Sequence, residues 1–328
     1  MTDPMNLNVS VIVPTYKRPD LLARCLTALL HQSVPTQTYE IVVCDDGPSA
    51  QVKDLVLEFS ASGHKPPLIR YIAVTATQGP AGARNAGWRA ARAPIIAFTD
   101  DDTIPDADWL GAGLRAMEEG AAAAVGRIVM PMPENPSDYE KDAARLQQAE
   151  FVTANCFVRR EALAMVGGFD EGFTLAWRED SDLHFSLLKK GCRIISAPRA
   201  IVTHPLRPAH FAAGLAMQKK VMFDVLLYRK HPELYRQRIR KAPPWLYLFI
   251  TACLLGAVVF FLVGRTKLAE AAAYLWMVLS LYFFLYRLIR SSLDMRNISE
   301  LLVTSILIPP LSIFWRLVGA ARFGRALP

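Results

Sequence analysis

The stretch Pro94–Ile–Ile–Ala–Phe–Thr–Asp–Asp–Asp102 decides the fold of this chain. Its apolar half suits a buried β-strand, and the strand ends abruptly in three carboxylates. In an open α/β sheet, ligands bind beyond the carboxyl ends of the strands. Alternate residues of a strand point to the same side, so Asp100 and Asp102 can aim together at a hard cation, Mg²⁺ or Mn²⁺. The alternative is a solvated acidic turn in which Asp106 or Asp108 caps a helix.

Further strands and helices alternate on both sides of this stretch. The predicted strands are 9–14, 39–44, 68–73, 94–98, 121–130, 150–159 and 193–197, and the predicted helices begin near residues 19, 51, 80, 160 and 178. The last strand is expected to end before Pro198, with a turn into Thr203–His204–Pro205. Strands that alternate with helices predict an α/β fold, with a mostly parallel sheet and helices on both faces.

The segment Thr77–Gly87 is rich in glycine and runs into a helix with Pro80 near its first turn. Backbone N–H groups at such a helix start, together with Arg84, can hold a diphosphate. A simple tight turn with Arg84 on the surface is the alternative. Neither the GxGxxG nor the GxxxxGK[ST] pattern occurs, which counts against NAD chemistry and NTP hydrolysis.

The composition indicates a membrane part after residue 243. Of the 328 residues, 52% are hydrophobic, and the mean hydropathy is +0.20. The net charge of +7 then suggests basic residues near an anionic leaflet rather than nucleic-acid binding, for which no motif is found. The five cysteines are scattered without a CxxC pair, which favours reduced thiols over disulfides or zinc. Residues 1–8 show no signal-peptide pattern.

Two apolar segments, about 245–264 and 268–289, are long enough to cross a bilayer. The segment 227–241 before them carries six Arg or Lys and one Glu, and arginines follow the second span. The positive-inside rule then predicts a hairpin with both ends in the cytosol. A third segment, 298–321, is broken by Pro309–Pro310 and Arg316; it spans, re-enters or lies in the interface, and we favour the last two with a cytosolic tail. Buried core helices are the alternative for the hairpin.

Five motifs carry a resemblance, in order and spacing, to family 2 glycosyltransferases of the GT-A fold. They are Val9–Ser–Val–Ile–Val–Pro–Thr–Tyr–Lys–Arg–Pro19, Asp45–Asp–Gly47, Gly82–Ala–Arg–Asn–Ala–Gly87, Asp100–Asp–Asp102 and Arg178–Glu–Asp180. The likeness covers roughly residues 8–205, and Gly167–Gly–Phe–Asp–Glu171 resembles the acceptor-side loop of that family. The resemblance implies a nucleotide-diphosphate sugar donor, a divalent metal (Mg²⁺ or Mn²⁺) and an inverting transfer.

The resemblance also implies a role for each matching residue. Donor-binding residues would be Pro14, Thr15, Asp45, Asp46, Arg84, Asp100 and Asp101, and metal ligands Asp102, Asp100 and His204. Asp180 would be the general base, with Glu179 and Asp182 as the other catalytic candidates, and Phe169, Asp170 and Trp177 would lie on the acceptor side. Simpler roles stay open for several of these residues. One residue of the pair Asp45 and Asp46 could cap a turn, and one of Glu179, Asp180 and Asp182 could cap a helix. His204 could be a structural turn residue and Trp177 a packed loop residue.

The sequence therefore predicts a GT-A catalytic domain (1–226), a basic juxtamembrane segment (227–243) and a membrane domain (244–328). The enzyme would work at the cytosolic face of the cell inner membrane on a lipid-linked acceptor, beside anionic phospholipid headgroups. A Gln-x-x-Arg-Trp motif is missing near Gln218, which lowers the case for a processive synthase. A catalytically silent nucleotide-sugar binder is the alternative, and a sugar nucleotidyltransferase is weaker because loop 14–19 has no glycine. The sugar, base, acceptor, anomer and oligomeric state stay open.

Overall fold

The computed structural model describes residues 7–62 and 65–324. Most of the N-terminal segment examined for a signal peptide, and the last four residues of the C-terminal tail, lie outside this range. The chain forms two compact units: a sheet unit, Met1–Pro131 with Leu146–Pro205, and a helical unit, Met132–Arg145 with Leu206–Pro328. Residues 206–226, placed with the catalytic domain from the sequence, group with the helical unit, and so does the segment 132–145.

Eight strands and thirteen α-helices are described. The strands are β1 Val9–Thr15, β2 Tyr39–Asp45, β3 Leu68–Ala73, β4 Ile95–Thr99, β5 Ile104–Pro105, β6 Ala123–Val129, β7 Asn155–Arg159 and β8 Ile194–Thr203. The helices are α1 Pro19–Leu30, α2 Ala50–Ala61, α3 Pro80–Ala90, α4 Trp109–Met117, α5 Asp138–Ala144, α6 Arg160–Val166, α7 Glu179–Lys189, α8 Ala213–Met217, α9 Met222–Lys230, α10 Pro232–Arg238, α11 Trp245–Leu262, α12 Thr266–Leu288 and α13 Met295–Phe323.

The strands form one sheet in the order β3-β2-β1-β4-β7-β6-β8-β5. Alternate residues of β1 enter two separate cores: Val11 and Val13 pack with α1, α2 and α4, whereas Ile12 packs with α3, α6 and α7. The α/β fold with helices on both faces is thereby confirmed. Strands β1 to β4 are mutually parallel as predicted, but β7 runs antiparallel to β4 and β6, which makes the sheet mixed.

Strand β8 is longer than the sequence suggests, because Pro198 does not end it. The strand continues to Thr203, and its pairing with β6 shifts register at Gly126/Arg127, an irregularity that accommodates the extra residues. The two-residue strand β5, which periodicity cannot reveal, pairs with the end of β8 through Ile104 and Thr203. This pairing carries His204 to the same edge of the sheet as the acidic triple.

Helix α3 begins at Pro80, so most of the glycine-rich segment is helix rather than loop. Gly82 is required there because a Cβ would overlap the Thr77 carbonyl, and Gly87 because a Cβ would overlap Ile12 of β1. Gly82 therefore allows α3 to pack closely on the turn before it, and Gly87 allows it to pack closely on the sheet. Only Gly79, with a φ of 114°, supplies a turn conformation, immediately before the helix.

In the helical unit, α11, α12 and α13 are each long and apolar enough, by length and composition, to cross a membrane. The first two match the predicted spans, and Tyr247 at the start of α11 stacks edge-on with Phe283 near the end of α12, at 5.3 Å between centroids, as in a hairpin. The third is a correction: α13 runs without a break through Pro309 and Pro310. Proline removes one backbone hydrogen bond each, and packing against neighbouring segments keeps this helix continuous.

Candidate active site

The acidic triple lies directly beyond the end of β4. Its turn is held by Thr103, whose N–H and hydroxyl both donate to the Asp100 carbonyl, at 3.2 and 2.7 Å. Ligand atoms of Asp100, Asp102 and His204 all lie within 4.8 Å of one another. His204 is positioned by its N–H, which donates to Val129 at 2.8 Å, and its Nε2 lies 3.6 Å from Asp102 Oδ1. Two carboxylates and an imidazole form a donor set that fits Mn²⁺ or Mg²⁺.

Asp101, the middle residue of the triple, turns away from this cluster. It accepts hydrogen bonds from the Thr15 hydroxyl at 2.8 Å and from Arg18 at 3.1 Å, and it is buried. Burial raises the pKa of Asp101 to about 6, although Arg18 and Thr15 oppose the shift. Asp101 thus ties the end of β1, where Pro14 lies, and the loop that follows it to the end of β4. Arg18 carries no predicted role of its own, although a basic residue in a strand-end loop is a usable signal.

Arg84 joins three elements at the centre of the site. Its guanidinium, buried on α3, donates to Asp100 Oδ1 at 2.7 Å and to Glu179 Oε1 at 3.1 Å. Burial alone would lower the pKa of Arg84, but the Asp100 and Glu179 carboxylates raise it overall, so the side chain stays charged. The expected contact with a donor diphosphate stays a prediction, because here the guanidinium is bonded to carboxylates on both sides.

Glu179, Asp180 and Asp182 lie in the first turn of α7, each in a different environment. None of them is the N-cap residue, because Arg178 takes that position with a left-handed φ of 75°, a strained conformation for a non-glycine residue. Glu179 and Asp182 are buried, whereas Asp180 keeps part of its surface exposed. Of the three, Asp180 is therefore the one with surface open to contact.

The pKa values of these acids are shifted upward. Burial, followed by the charge of Asp180, raises the pKa of Glu179 to about 7 against the opposing effect of Arg84. Burial also raises the pKa of Asp180, while hydrogen bonds from the Ser181 N–H at 2.6 Å and the Ser181 hydroxyl at 3.3 Å oppose the shift. Raised carboxyl pKa values in a cleft are typical of residues that move protons.

The acidic pair after β2 is engaged by backbone groups. Asp45 caps the following turn, accepting from the Gly47 and Ser49 N–H groups, both at 3.1 Å, and from the Tyr71 hydroxyl at 3.0 Å. Asp46 accepts from the Gly79 N–H at 2.8 Å, which fastens this turn to the start of α3. Burial raises the pKa of Asp46. Contacts of either residue with a donor nucleoside remain predictions.

The loop 167–178 contains the residues expected on the acceptor side. Phe169 is buried and packs edge-on against Phe98, 5.3 Å between centroids, so it belongs to the core beneath the site. Asp170 accepts from the Gly172 N–H at 2.8 Å, and the Trp177 ring lies 4.7 Å from the Arg178 guanidinium. Of the three residues expected on the acceptor side, Asp170 and Trp177 retain exposed surface and Phe169 does not.

Asn85 lies in the motif Gly82–Gly87 and has no role predicted from the sequence. Its amide oxygen accepts from the Phe169 N–H at 3.0 Å and from the Trp88 indole at 2.8 Å, and its amide nitrogen donates to the Phe169 carbonyl at 2.9 Å and to Glu171 at 2.7 Å. These bonds fix the 167–171 loop on α3. The partners in that loop lie more than eighty residues away along the chain, so only the position of Asn85 beside Arg84 in a motif could have indicated this role.

Two family models match this chain: Glycosyl transferase family 2 over residues 10–170, and Glycosyl transferase family group 2 over residues 95–289. The chain belongs to the family 2 glycosyltransferases. It is therefore an enzyme of sugar transfer, as the sequence motifs predict.

Among individual proteins, the chain is similar to the glycosyltransferase AglE of Haloferax volcanii, with 27% identity over 212 residues that cover 61% of this chain and 67% of AglE. It is 29% identical to the pre-mycofactocin glycosyltransferase of Mycobacterium tuberculosis, over 62% of this chain and only 44% of that protein. It is 34% identical to WfgD of Escherichia coli, a UDP-Glc:alpha-D-GlcNAc-diphosphoundecaprenol beta-1,3-glucosyltransferase, over 29% of this chain and 35% of that protein.

Among solved structures, the chain resembles the mannosyltransferase PcManGT from Pyrobaculum calidifontis, determined in complex with GDP-Man and Mn²⁺. The TM-score is 0.55, with 19% sequence identity, over 98% of this chain and 90% of that chain. The likeness confirms the GT-A fold.

Proposed function

We propose that this protein is a membrane-bound, metal-dependent, inverting glycosyltransferase that moves a sugar from a nucleotide-diphosphate sugar to a lipid-linked acceptor. The observation that carries the proposal is the convergence at one sheet edge of an Asp100–Asp102–His204 cluster with the first turn of α7. Arg84 joins these two parts, since it bonds both Asp100 and Glu179. A metal-ligating set and a base of raised pKa are the two components that such a transfer needs.

Asp100, Asp102 and His204 would hold the metal. Their oxygen and nitrogen donors fit Mn²⁺ or Mg²⁺, and PcManGT, which has the same fold, was solved with Mn²⁺ and GDP-Man. When bound, the ion would neutralise charge on the donor diphosphate. Arg84 lies beside Asp100, where its guanidinium would hold a phosphoryl oxygen once a donor competes for it.

Asp180 would act as the general base. Its carboxylate accepts the proton of the acceptor hydroxyl while that oxygen forms a bond to the anomeric carbon, and the bond between that carbon and the diphosphate oxygen breaks. Attack from the face opposite the leaving group inverts the anomeric centre. Glu179 is bonded to Arg84 and Asp182 is buried, which supports Asp180 over either neighbour.

The lipid-linked acceptor and the location are inferred from the helical unit. Helices α11 and α12 are two long apolar helices with a basic segment before the first and Arg287 and Arg290 at the end of the second. By the positive-inside rule, these basic flanks support a cytosolic catalytic domain at the inner membrane. WfgD, whose name includes a diphosphoundecaprenol acceptor, matches part of the chain and supports a polyprenyl-diphosphate type of acceptor.

The test is donor turnover by the purified full chain in detergent. A panel of nucleotide sugars with Mn²⁺ or Mg²⁺, with and without a bacterial lipid extract, is followed by release of the nucleoside diphosphate. Asp180→Asn is expected to lower turnover by roughly 10³-fold, since general bases contribute about 10²–10⁴-fold. Donor affinity, measured by calorimetry, should be kept. The matched control is Asp54→Asn, the same change at an exposed acid of α2.

Three outcomes would contradict the proposal. Donor binding without turnover on every donor and lipid extract would indicate a silent binder. Release of pyrophosphate from an NTP and a sugar phosphate would indicate a nucleotidyltransferase. Full activity after exhaustive chelation would remove the metal from the scheme.

A further inference from the structure

Helix α13 is long and apolar enough to cross a bilayer, but the contacts at its two ends indicate that both ends lie on the same side. All of the segments that it touches at its two ends, 136–138, 209 and 222–229, precede α11 in the chain. Among the described residues, α11, α12 and α13 are the only candidate spans. No candidate span therefore separates those segments from one another, and they lie on one side of the membrane.

The N-terminal end of α13 is held by the first of these segments. The Ser292 N–H donates to the Pro136 carbonyl at 3.1 Å, and the Asp138 N–H donates to Asn297 at 3.4 Å. Arg296 donates to the Ala209 carbonyl at 3.2 Å. This end is also where the chain emerges from α12, so its position on that side agrees with a hairpin of α11 and α12.

The middle of α13 crosses the end of that hairpin. Arg287, in the last turn of α12, donates to the hydroxyls of Thr304 and Ser305 on α13, at 2.8 and 3.0 Å. The same guanidinium forms an ion pair with Asp138 of α5 at 2.7 Å. Arg287 thus connects α12, α13 and the segment 132–145, all at the end of α12 that returns from the membrane.

The C-terminal end of α13 is held by α9, on the same side. Buried Arg316 donates to Asp224 at 3.2 Å, and Arg229 donates to the Phe323 carbonyl at 2.7 Å. At Gly319 the two helices approach so closely that a Cβ would lie 2.6 Å from the Met222 carbonyl oxygen. A helix that crosses the ~30 Å hydrocarbon layer has its two ends on opposite sides, and the ends of α13 do not.

The faces of α13 show what covers it. The face packed on the protein carries Thr304, Ser305, Ser312 and Arg316, all buried. The outward face is apolar: Leu302, Leu307, Phe314 and Leu317 are between 40% and 53% exposed. The packed face also buries apolar residues such as Leu301, Ile308 and Ile313. An outer face in water would carry polar residues, whereas this one is apolar, like the exposed surfaces of α11 and α12.

We propose that α13 is an interfacial helix that lies across the end of the α11–α12 hairpin, with its apolar face in the acyl region of the adjacent leaflet. Basic Arg290, Arg296 and Arg322 lie near its two ends, where anionic headgroups would attract them. The interfacial position of α13 is independent of the proposed function, and only the assignment of its side of the membrane to the cytosol rests on that function.

The test is the sidedness of single cysteines in the full chain in intact cells. Cys192 and Cys253 are first replaced, since they are partly exposed. Thr266→Cys marks the turn of the hairpin, and Ser299→Cys and Arg322→Cys mark the two ends of α13, all exposed positions. A membrane-impermeant maleimide is expected to label only Thr266→Cys in intact cells, and all three variants after detergent.

Each other pattern has a defined meaning. Different labelling of Ser299→Cys and Arg322→Cys in intact cells would show that α13 spans the membrane, which overturns the inference. Equal labelling of all three variants would also overturn it, because the α11–α12 hairpin would then not cross the membrane. Labelling of the two α13 positions but not Thr266→Cys would keep the inference and contradict the cytosolic location in the proposed function.

The lipid contact has its own measurement. A nitroxide attached at Leu307→Cys in vesicles should be shielded from a water-soluble relaxing agent and accessible to oxygen. Efficient disulfide formation between two copies carrying Phe314→Cys would instead assign this face to a second copy of the chain and overturn the lipid contact.

Discussion

Two buried arginines, one in each unit, have similar surroundings, but we expect their replacement to have different effects. Arg84 in the sheet unit bonds two carboxylates, Asp100 and Glu179, and the partly exposed Asp180 lies close by. Arg316 in the helical unit bonds one carboxylate, Asp224, together with Ser312 of its own helix. Both residues are at most 4% exposed.

The difference lies in the balance of charge. Around Arg84 the acids outnumber the cation, and one of them, Asp100, belongs to a cluster that fits a metal. Such an arrangement is relieved by a bound cation or by protonation of one of the carboxyl groups. The Arg316–Asp224 pair is balanced and joins α13 to α9. An excess of buried charge therefore indicates a ligand site, whereas a balanced buried pair indicates packing specificity.

The largest expected effect is on catalysis, from Arg84→Met. We expect kcat/KM to fall by roughly 10²–10³-fold, as when one preorganised charge-stabilising donor is removed. Arg84→Lys should recover only part of this loss, because an ammonium cannot bridge two partners in the planar geometry of a guanidinium. Steady-state kinetics on folded, monodisperse protein measure the effect. Near-normal kcat/KM in Arg84→Met would contradict a catalytic role for Arg84 and leave the two arginines alike.

The next effect is on stability, from Arg316→Met. Removing one partner leaves Asp224 buried with less compensation, and we expect about 3 kcal/mol of destabilisation, seen as a lower thermal midpoint in detergent. Turnover per folded molecule should stay normal. The double variant Arg316→Met with Asp224→Leu should regain most of the loss, because no isolated buried charge remains. A turnover defect equal to that of Arg84→Met would contradict a purely structural pair.

The smallest expected effect is a pH dependence of the protein's stability that arises from Glu179. The pKa of Glu179 is raised from 4.5 to about 7, so between these values the folded protein holds a proton that the unfolded chain has lost. This contribution to stability is fully present below about pH 4.5 and is lost as the pH rises through about 7, by at most about 3 kcal/mol. Glu179→Gln should flatten the fall of the thermal midpoint between pH 5 and 8. An unchanged slope would show that Glu179 does not titrate in this range.

Most of the local structure could be predicted from residues close together in the chain. The strands β1 to β4, the start of α1 and the short helix α6 follow from hydrophobic periodicity and from proline and glycine signals. Strand β5 and the continuation of β8 past Pro198 could not, because a two-residue strand has no period and a proline is tolerated beside a register shift. The unbroken course of α13 was missed for a similar reason, since packing overrides a local breaker.

The sequence by itself determined the fold class, the acidic triple at a strand end, the first-turn acids of α7 and the apolar helices. These are local patterns, set by backbone geometry over a few residues. Only the tertiary structure decided that His204 joins Asp100 and Asp102 while Asp101 turns to Thr15, and that α9 holds the far end of α13. Those outcomes depend on strand pairing and helix packing between residues tens to a hundred positions apart, where the burial of charge and shape, rather than periodicity, selects the partner.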